Sequence, residues 1–254
     1  MLYLAFAVQI ALMLGVPLGL WVVLRRRWAA AWGLIGAGAV TFIASQVVHL
    51  PLNWALGLLG TGRGVALWPL PAMATVAGLS AGICEEGARY LVLRHWQRRA
   101  RSWRDGVVYG AGHGGMESLL LGLLVLANVV TMFILRQSGA VPPQYRPQVE
   151  EFWAIAWYMP LLGGIERVFA IIVQIALALL VMQSLRRSNP LWLILAILFH
   201  TALDGVAVAM AHLGWSAAAM EGVVALFALG GLAIILALRG KMEPEPSVPV
   251  PEPA

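Results

Sequence analysis

The chain has 254 residues, of which 61% are hydrophobic and only 11% charged, and its formal net charge is +5. Soluble globular domains carry about 25% charged residues, so this composition, with a mean hydropathy of +0.82, excludes a soluble domain and indicates a polytopic membrane protein. Sixteen of the 17 basic residues are arginines, and most lie at the ends of apolar runs. That distribution is a topology signal, so we expect no nucleic-acid partner.

Seven apolar runs are each long enough to cross about 30 Å of hydrocarbon. They predict an all-α polytopic membrane bundle with spans at 2–24, 29–50, 71–93, 106–135, 161–185, 190–211 and 216–238. The segment 52–71 contains Trp54, Trp68 and two prolines, which is typical of an interfacial or re-entrant loop. An eighth span in that segment is the alternative.

The basic residues predict an orientation for these spans. With the N-terminus outside, twelve fall in inner loops or the tail and three, Arg63, Arg136 and Arg146, in outer loops. This asymmetry predicts a cytoplasmic C-terminus in a multi-pass protein of the plasma membrane. We expect residues 1–242 to form one membrane domain and the Pro-rich segment 243–254 to be a disordered tail.

Charged and polar side chains inside the predicted spans occur in three pairs with helical spacing. The pairs are Glu85–Arg89, His113–Glu117 and His200–Asp204. Residues four apart share a helix face, and a rise of about 1.5 Å per residue places Glu85, His113 and His200 at a similar depth. Ionisable groups at membrane depth are costly and indicate a functional site, so we expect the three helices to share one.

Small residues recur every fourth position in the fourth span, at Gly106, Gly110, Gly114, Ser118 and Gly122. Such a stripe allows a neighbouring helix to approach closely, and we expect that neighbour to be the third span. Two further polar groups have structural interpretations. Glu166–Arg167 is expected to stabilise the outer end of its span, and Gln46, His49 and Asn53 are expected to anchor the second span at the interface.

The site residues permit amide hydrolysis inside the membrane. A Glu beside His113 is suited to hold and deprotonate a water molecule, while His200 donates to an oxyanion and Asp204 orients that imidazole. The same side chains, with His113, Glu117 and His200 as candidates, are suited to bind a divalent metal such as zinc. No HExxH pair is present, so no cofactor is certain.

Two other functions use the same residues. A proton-coupled transporter or channel would employ the buried Glu, His and Asp side chains as a relay, and a membrane scaffold would use them only for structure. A relay needs polar groups through the full depth of the membrane. The strongest polar residues here lie at one level, which favours the peptidase.

Four motifs in order resemble those of the YhfC family of intramembrane peptidases, over about residues 70–210. They are Glu85-Glu86-x-x-Arg89, His113-Gly-Gly-x-Glu117, Glu166-Arg167 and Phe199-His200-x-x-x-Asp204. That family is related to PrsW and to the CPBP group, which includes the CAAX prenyl proteases. The resemblance implies that Glu85 is the base, that His113 is its partner and that His200 is the oxyanion donor. Glu86, Arg89, Glu117, Asp204, Glu166 and Arg167 would support them, and the substrate would be a membrane protein or a lipidated peptide in the lipid bilayer.

The chain departs from those patterns at three positions. Asp204 stands where the CPBP pattern has Asn, and Arg89 is one position closer to the Glu pair. Gln174 occupies a place where the resemblance leads us to expect His. The last departure removes one ligand that a metal site would use.

Overall fold

The computed structural model describes residues 1–60, 62–138 and 141–242. Within these ranges the chain forms eight α-helices and two short 3-10 helices. The α-helices are α1 (Leu2–Trp28), α2 (Trp32–Leu56), α3 (Leu70–His95), α4 (Trp103–Ser138), α5 (Arg146–Ala154), α6 (Met159–Arg186), α7 (Leu191–His212) and α8 (Ala217–Arg239). The predicted all-α polytopic bundle is therefore confirmed.

Seven long helices lie at the positions of the seven predicted spans. Six of them, α1, α2, α4, α6, α7 and α8, are long and apolar enough to cross a membrane. The seventh, α3, has 26 residues, but Glu85, Glu86 and Arg89 reduce its apolar character. The described part of the segment 52–71 holds the end of α2, the 3-10 helix Gly64–Leu67 and the start of α3, so it forms no eighth span. The predicted tail, 243–254, lies outside the described residues.

Helix α6 is the centre of the bundle. In its most apolar part 72% of the residues are buried, against 17–44% for the other five apolar helices, so the others present most of their apolar surface outward. It packs against α1, α4, α7 and α8 and also reaches α3. A helix that is apolar on all sides is expected in such a central position.

Helices α3 and α7 approach each other closely because α3 presents glycines to α7. A Cβ atom at Gly78 would overlap the Thr201 carbonyl oxygen, and one at Gly82 would lie 2.9 Å from the Ile197 carbonyl oxygen. The absence of side chains at both positions lets the backbones approach, as small residues do in membrane bundles. This contact fixes the glutamates of α3 next to α7.

The small-residue stripe of α4 faces α6 and α1 instead of the expected third helix. Gly110 and Gly114 pack against Ile175 and Gln174 of α6, and Gly122 packs against α1. A different face of α4 is occupied by α2, where Gly112 meets the backbone of Ile35. The contacts of α3 with α4 run through long side chains, because α2 and α6 occupy the positions beside α4.

The basic clusters predicted to share one side of the membrane meet at one end of the bundle. The rings of Trp28 and Trp103 lie 5.7 Å apart, at the end of α1 and the start of α4. The Arg104 guanidinium lies 5.8 Å from the Trp28 ring, and the Arg239 guanidinium lies 5.5 Å from the Trp103 ring. The ends of α1 and α8 therefore lie beside the start of α4.

We expect Gly78→Ala to lower the midpoint of thermal unfolding in detergent. The added methyl group would overlap the Thr201 carbonyl oxygen, and forced overpacking costs about 1–3 kcal/mol. Gly87→Ala is the matched control, because Gly87 lies on the same helix with nothing within 4 Å of an added Cβ. A Gly78→Ala midpoint equal to that of Gly87→Ala would contradict the close α3–α7 contact.

Candidate active site

The buried guanidinium of Arg89 lies at the centre of the polar site. Its Nη1 donates to both oxygens of Glu86, at 2.6 and 2.8 Å, and its Nη2 donates to Gln174 Oε1. Its Nε donates to His113 Nδ1 at 3.4 Å, and its Nη2 lies 3.5 Å from Glu85 Oε2. Arg89 is 0% exposed, and a buried charge is tolerated only when it is paired and hydrogen-bonded. The guanidinium therefore holds both glutamates of α3.

Glu85 accepts its two shortest hydrogen bonds from side chains of two other helices, and Gln174 of α6 lies 3.5 Å away. His113 Nε2 of α4 lies 3.1 Å from Glu85 Oε2, and Gln46 Nε2 of α2 donates to Glu85 Oε1 at 3.1 Å. Because a carboxylate only accepts, the His113 proton lies on Nε2, which leaves Nδ1 to accept from Arg89. Both nitrogens of His113 are thus used within the protein.

Glu86 and His200 form the second contact between α3 and another helix. His200 Nδ1 lies 2.7 Å from Glu86 Oε1, and Glu86 is 0% exposed. On the other side of the ring, His200 Nε2 lies 3.6 Å from Asp204 Oδ2, which is beyond hydrogen-bonding distance. Glu86 therefore orients the imidazole, the role that the sequence assigned to Asp204.

A second layer of charge lies beside this site and is joined to it by Gln174. Arg167 Nη1 donates to Glu117 Oε1 at 2.8 Å, and Arg167 also binds Glu166. Gln174 Nε2 donates to Glu117 Oε2 at 2.7 Å, while Gln174 Oε1 accepts from Arg89. An amide is suited to this place because it offers a donor to an anion and an acceptor to a cation.

A cavity of about 120 Å³ lies next to both layers, and Glu85, His200 and Asp204 are among its lining residues. Glu117, Glu166 and Arg167 line it as well. The Asp204 side chain is 39% exposed and faces this space. A cavity of this size has room for several water molecules. The buried Glu85 therefore has access to a space for water that His200 shares.

The observed partners differ from those that helical spacing predicted. His113 contacts Glu85 and Arg89 of α3 instead of Glu117 on its own helix, and Arg89 binds Glu86 more closely than Glu85. Helical spacing places residues four apart on one face, but interhelical packing determines which partner each polar atom contacts. The structure nevertheless brings Glu85, His113 and His200 into one network.

Sequence reasoning missed two contributors to that network. The sequence predicts interfacial anchoring for Gln46, yet Gln46 contacts Glu85, and Gln174, which departs from the family pattern, binds Arg89. The spacing of Gln46, His49 and Asn53 places them on one face of α2, which indicates that this face contacts polar groups of another helix. It did not reveal which helix the face meets.

The candidate metal ligands His113, Glu117 and His200 are not brought together. Among residues 1–60, 62–138 and 141–242, no group of three or more His, Cys, Asp or Glu side chains is arranged to hold a metal ion. Glu117 is bound by Arg167 and Gln174, while the Arg89 guanidinium occupies the space among Glu85, Glu86 and His113. The residues present therefore do not fit a metal, because the candidate ligands lie apart and the guanidinium groups of Arg89 and Arg167 already bind the acidic side chains.

Comparison with known proteins gives one family. The family model described as YhfC intramembrane metalloprotease matches residues 11–228, which include every site residue above. An uncharacterised membrane protein, YhfC of Bacillus subtilis (strain 168), is 35% identical over 242 residues, covering 89% of this chain and 91% of the relative. No solved structure matches the chain. The chain, a multi-pass helical bundle with a buried Glu, His and Arg network, therefore belongs to the YhfC family of intramembrane metalloproteases.

Proposed function

We propose that this membrane protease hydrolyses a peptide bond of a membrane-associated substrate by a glutamic-type mechanism, with Glu85 as general base and His200 as oxyanion donor. The observation that carries the proposal is that Glu85 and His200, from different helices, line the same cavity, which has room for water. The description of the matched family favours a protease over a proton-coupled transporter.

The contacts of Glu85 support its role as the base. Glu85 is buried, and its hydrogen bonds to Gln46 and His113 fix both oxygens in position. A positioned general base contributes about 10²- to 10⁴-fold to a rate. Because both nitrogens of His113 are engaged by protein atoms, His113 acts on the water through Glu85 and is a positioning residue.

The contacts of His200 support its role as the donor. Glu86 is bound to Arg89 through both oxygens and is therefore an acceptor for His200 Nδ1–H. This leaves His200 Nε2 directed toward Asp204 and the cavity. When Nε2 also carries a proton, the imidazolium charge is balanced by Glu86, and Nε2–H is a charged donor for a developing oxyanion.

The reaction then follows from these two groups. Glu85 removes a proton from a water molecule, and the water oxygen bonds to the carbonyl carbon of the scissile amide. The carbonyl electron pair moves onto its oxygen, where His200 Nε2–H stabilises the negative charge. Glu85 returns the proton to the amide nitrogen as the carbon–nitrogen bond breaks, which releases a carboxylic acid and an amine.

We expect Glu85→Gln to reduce cleavage by about 10³-fold or more, and His200→Leu by about 10²- to 10³-fold, because they remove the base and the oxyanion donor. The measurement is the appearance of new protein N-termini, quantified by mass spectrometry, in membrane vesicles that contain wild-type or variant protein. A fluorogenic peptide spanning the most abundant new cleavage site then serves for kinetics.

Glu150→Gln is the matched control, because Glu150 is exposed on α5 and belongs to no site described above. Wild-type cleavage by Glu85→Gln, at equal amounts of folded protein, would overturn the proposed base. Absence of any N-terminus that depends on the wild-type protein would overturn the peptidase itself.

The family description makes a divalent metal a candidate cofactor. Because the donors present do not fit one, we expect the purified protein to contain far less than one zinc ion per chain and to keep its activity in a chelator. Elemental analysis and the fluorogenic peptide measure these two quantities. Activity that is lost in chelator and restored by zinc would contradict the glutamic mechanism.

We also infer that the N-terminus lies outside and the C-terminus in the cytoplasm. The support is the grouping of basic residues at one end of the bundle, around Trp28 and Trp103, because cytoplasmic loops carry the excess of arginine. A C-terminal reporter enzyme that is active only outside the cytoplasm should remain silent, whereas the same reporter at the N-terminus should be active. The reverse pattern would refute this orientation.

A further inference from the structure

A row of hydrogen-bonded polar side chains runs along α2 and ends at the carboxylate of Glu85. Gln46, His49 and Asn53 have spacings of three and four residues, so they lie on one face of α2. All three are partly buried. These side chains bind α3 within the bundle and not lipid headgroups. Interfacial anchoring therefore does not account for them.

Glu85 sets the direction of each hydrogen bond along this row of side chains. Since the carboxylate only accepts, Gln46 must present its amino group to Glu85 Oε1, at 3.1 Å. Gln46 Oε1 then faces His49 Nδ1 at 3.4 Å, so that nitrogen carries the ring proton. His49 Nε2 is left as the acceptor for Asn53 Nδ2 at 2.9 Å.

Ser80 of α3 contacts the outer end of this row of side chains. Ser80 Oγ lies 2.8 Å from both Asn53 Oδ1 and the Ala77 carbonyl oxygen, which share its one proton, and 3.2 Å from His49 Nε2. From Asn53 onward, every side-chain donor points toward Glu85. A network in which each polar atom has one consistent role holds its members in fixed rotamers.

These hydrogen bonds help to hold the two oxygens of Glu85 in place. Oε1 is held by Gln46 from α2, and Oε2 is held by His113 from α4. One bond alone would leave the carboxylate free to turn about its terminal torsion, which is broad in unbound side chains. Two bonds from two neighbouring helices, one to each oxygen, fix the plane in which Glu85 must take a proton from water.

We propose that Gln46 is a positioning residue for Glu85, and that His49 and Asn53 hold Gln46 with its amino group on the carboxylate. This inference rests on the proposed function of Glu85 as the base. It assigns to α2 a part in catalysis, although α2 contributes no residue to the motifs that relate the chain to its family.

The test is a double-mutant cycle on the fluorogenic peptide with Gln46→Met, His49→Leu and the pair. Gln46→Met keeps the length of the side chain and removes the donor, and we expect kcat to fall about 10- to 100-fold with KM unchanged, as for a misplaced reacting group. His49→Leu should lower kcat several-fold. The pair should be no slower than Gln46→Met alone, because His49 acts through Gln46.

Gln183→Met is the matched control. Gln183 is also a buried glutamine, and neither of its amide atoms has a hydrogen-bond partner in the described part of the chain, so kcat should equal that of the wild type. The amount and thermal midpoint of folded protein are compared for every variant. If Gln46→Met does not fold, His49→Leu carries the test, since it leaves Gln46 and Glu85 in place.

The outcomes separate this inference from the proposed function. Wild-type kcat in Gln46→Met, or in His49→Leu where that variant carries the test, overturns the positioning role while an inactive Glu85→Gln still supports the base. Strictly additive losses in the cycle also overturn it, because two independent structural defects would add. An active Glu85→Gln overturns the proposed function and this inference together.

Discussion

The structure of the site depends on one buried cation. Two adjacent glutamates at membrane depth would repel each other and lose their hydration, a cost that neither packing nor helix propensity offsets. Arg89, one turn further along α3, lies fully buried between them and binds Glu86 through two hydrogen bonds. Its remaining donors reach His113 and Gln174, so the same guanidinium that pairs with the carboxylates of α3 also sets the positions of α4 and α6 around it. Removal of Arg89 would leave two carboxylates without a counter-ion and three helices without their common partner.

Around this cation the two glutamates acquire different environments. Glu86 is enclosed by Arg89 and His200 and has no exposed surface, so it can serve only to hold other groups. Glu85 has a longer contact with Arg89, hydrogen bonds from Gln46 and His113, and an opening to the cavity that His200 shares. The asymmetry between two neighbouring residues of one type arises from helical geometry, because successive side chains point about 100° apart and therefore meet different helices. It is this difference that makes Glu85 the candidate base.

Close helix packing provides the distances that these contacts need. Gly78 and Gly82 bring α3 to the backbone of α7, which places His200 within 2.7 Å of Glu86. Glycines on two faces of α4 bring it against α6 and α2, so His113 and Gln174 approach Arg89 from neighbouring helices. In a bilayer, where apolar burial does not distinguish helix from lipid, such close backbone contact is a main source of specific association. The glycines therefore control the geometry of a site to which they contribute no polar atom.

Three properties follow from the amino-acid sequence alone: the class of the protein, the positions of the seven long helices and the residue types of the site. Apolar runs of membrane length and charges within them are properties of the chain alone, and they need no knowledge of packing. The similar depth of Glu85, His113 and His200 also followed from counting residues along each helix.

The packing of the helices determines which side chains meet. The partner of His113 is Glu85 and not Glu117, His200 is oriented by Glu86, Gln46 reaches the site from α2, and the stripe on α4 faces α6. Helical periodicity fixes the direction of a side chain relative to its own axis, but the rotation and neighbours of that axis are set by interhelical contacts distant in sequence. For the same reason the candidate metal ligands His113, Glu117 and His200 have different partners in the fold: Arg89 and Glu85 for His113, Arg167 and Gln174 for Glu117, and Glu86 for His200.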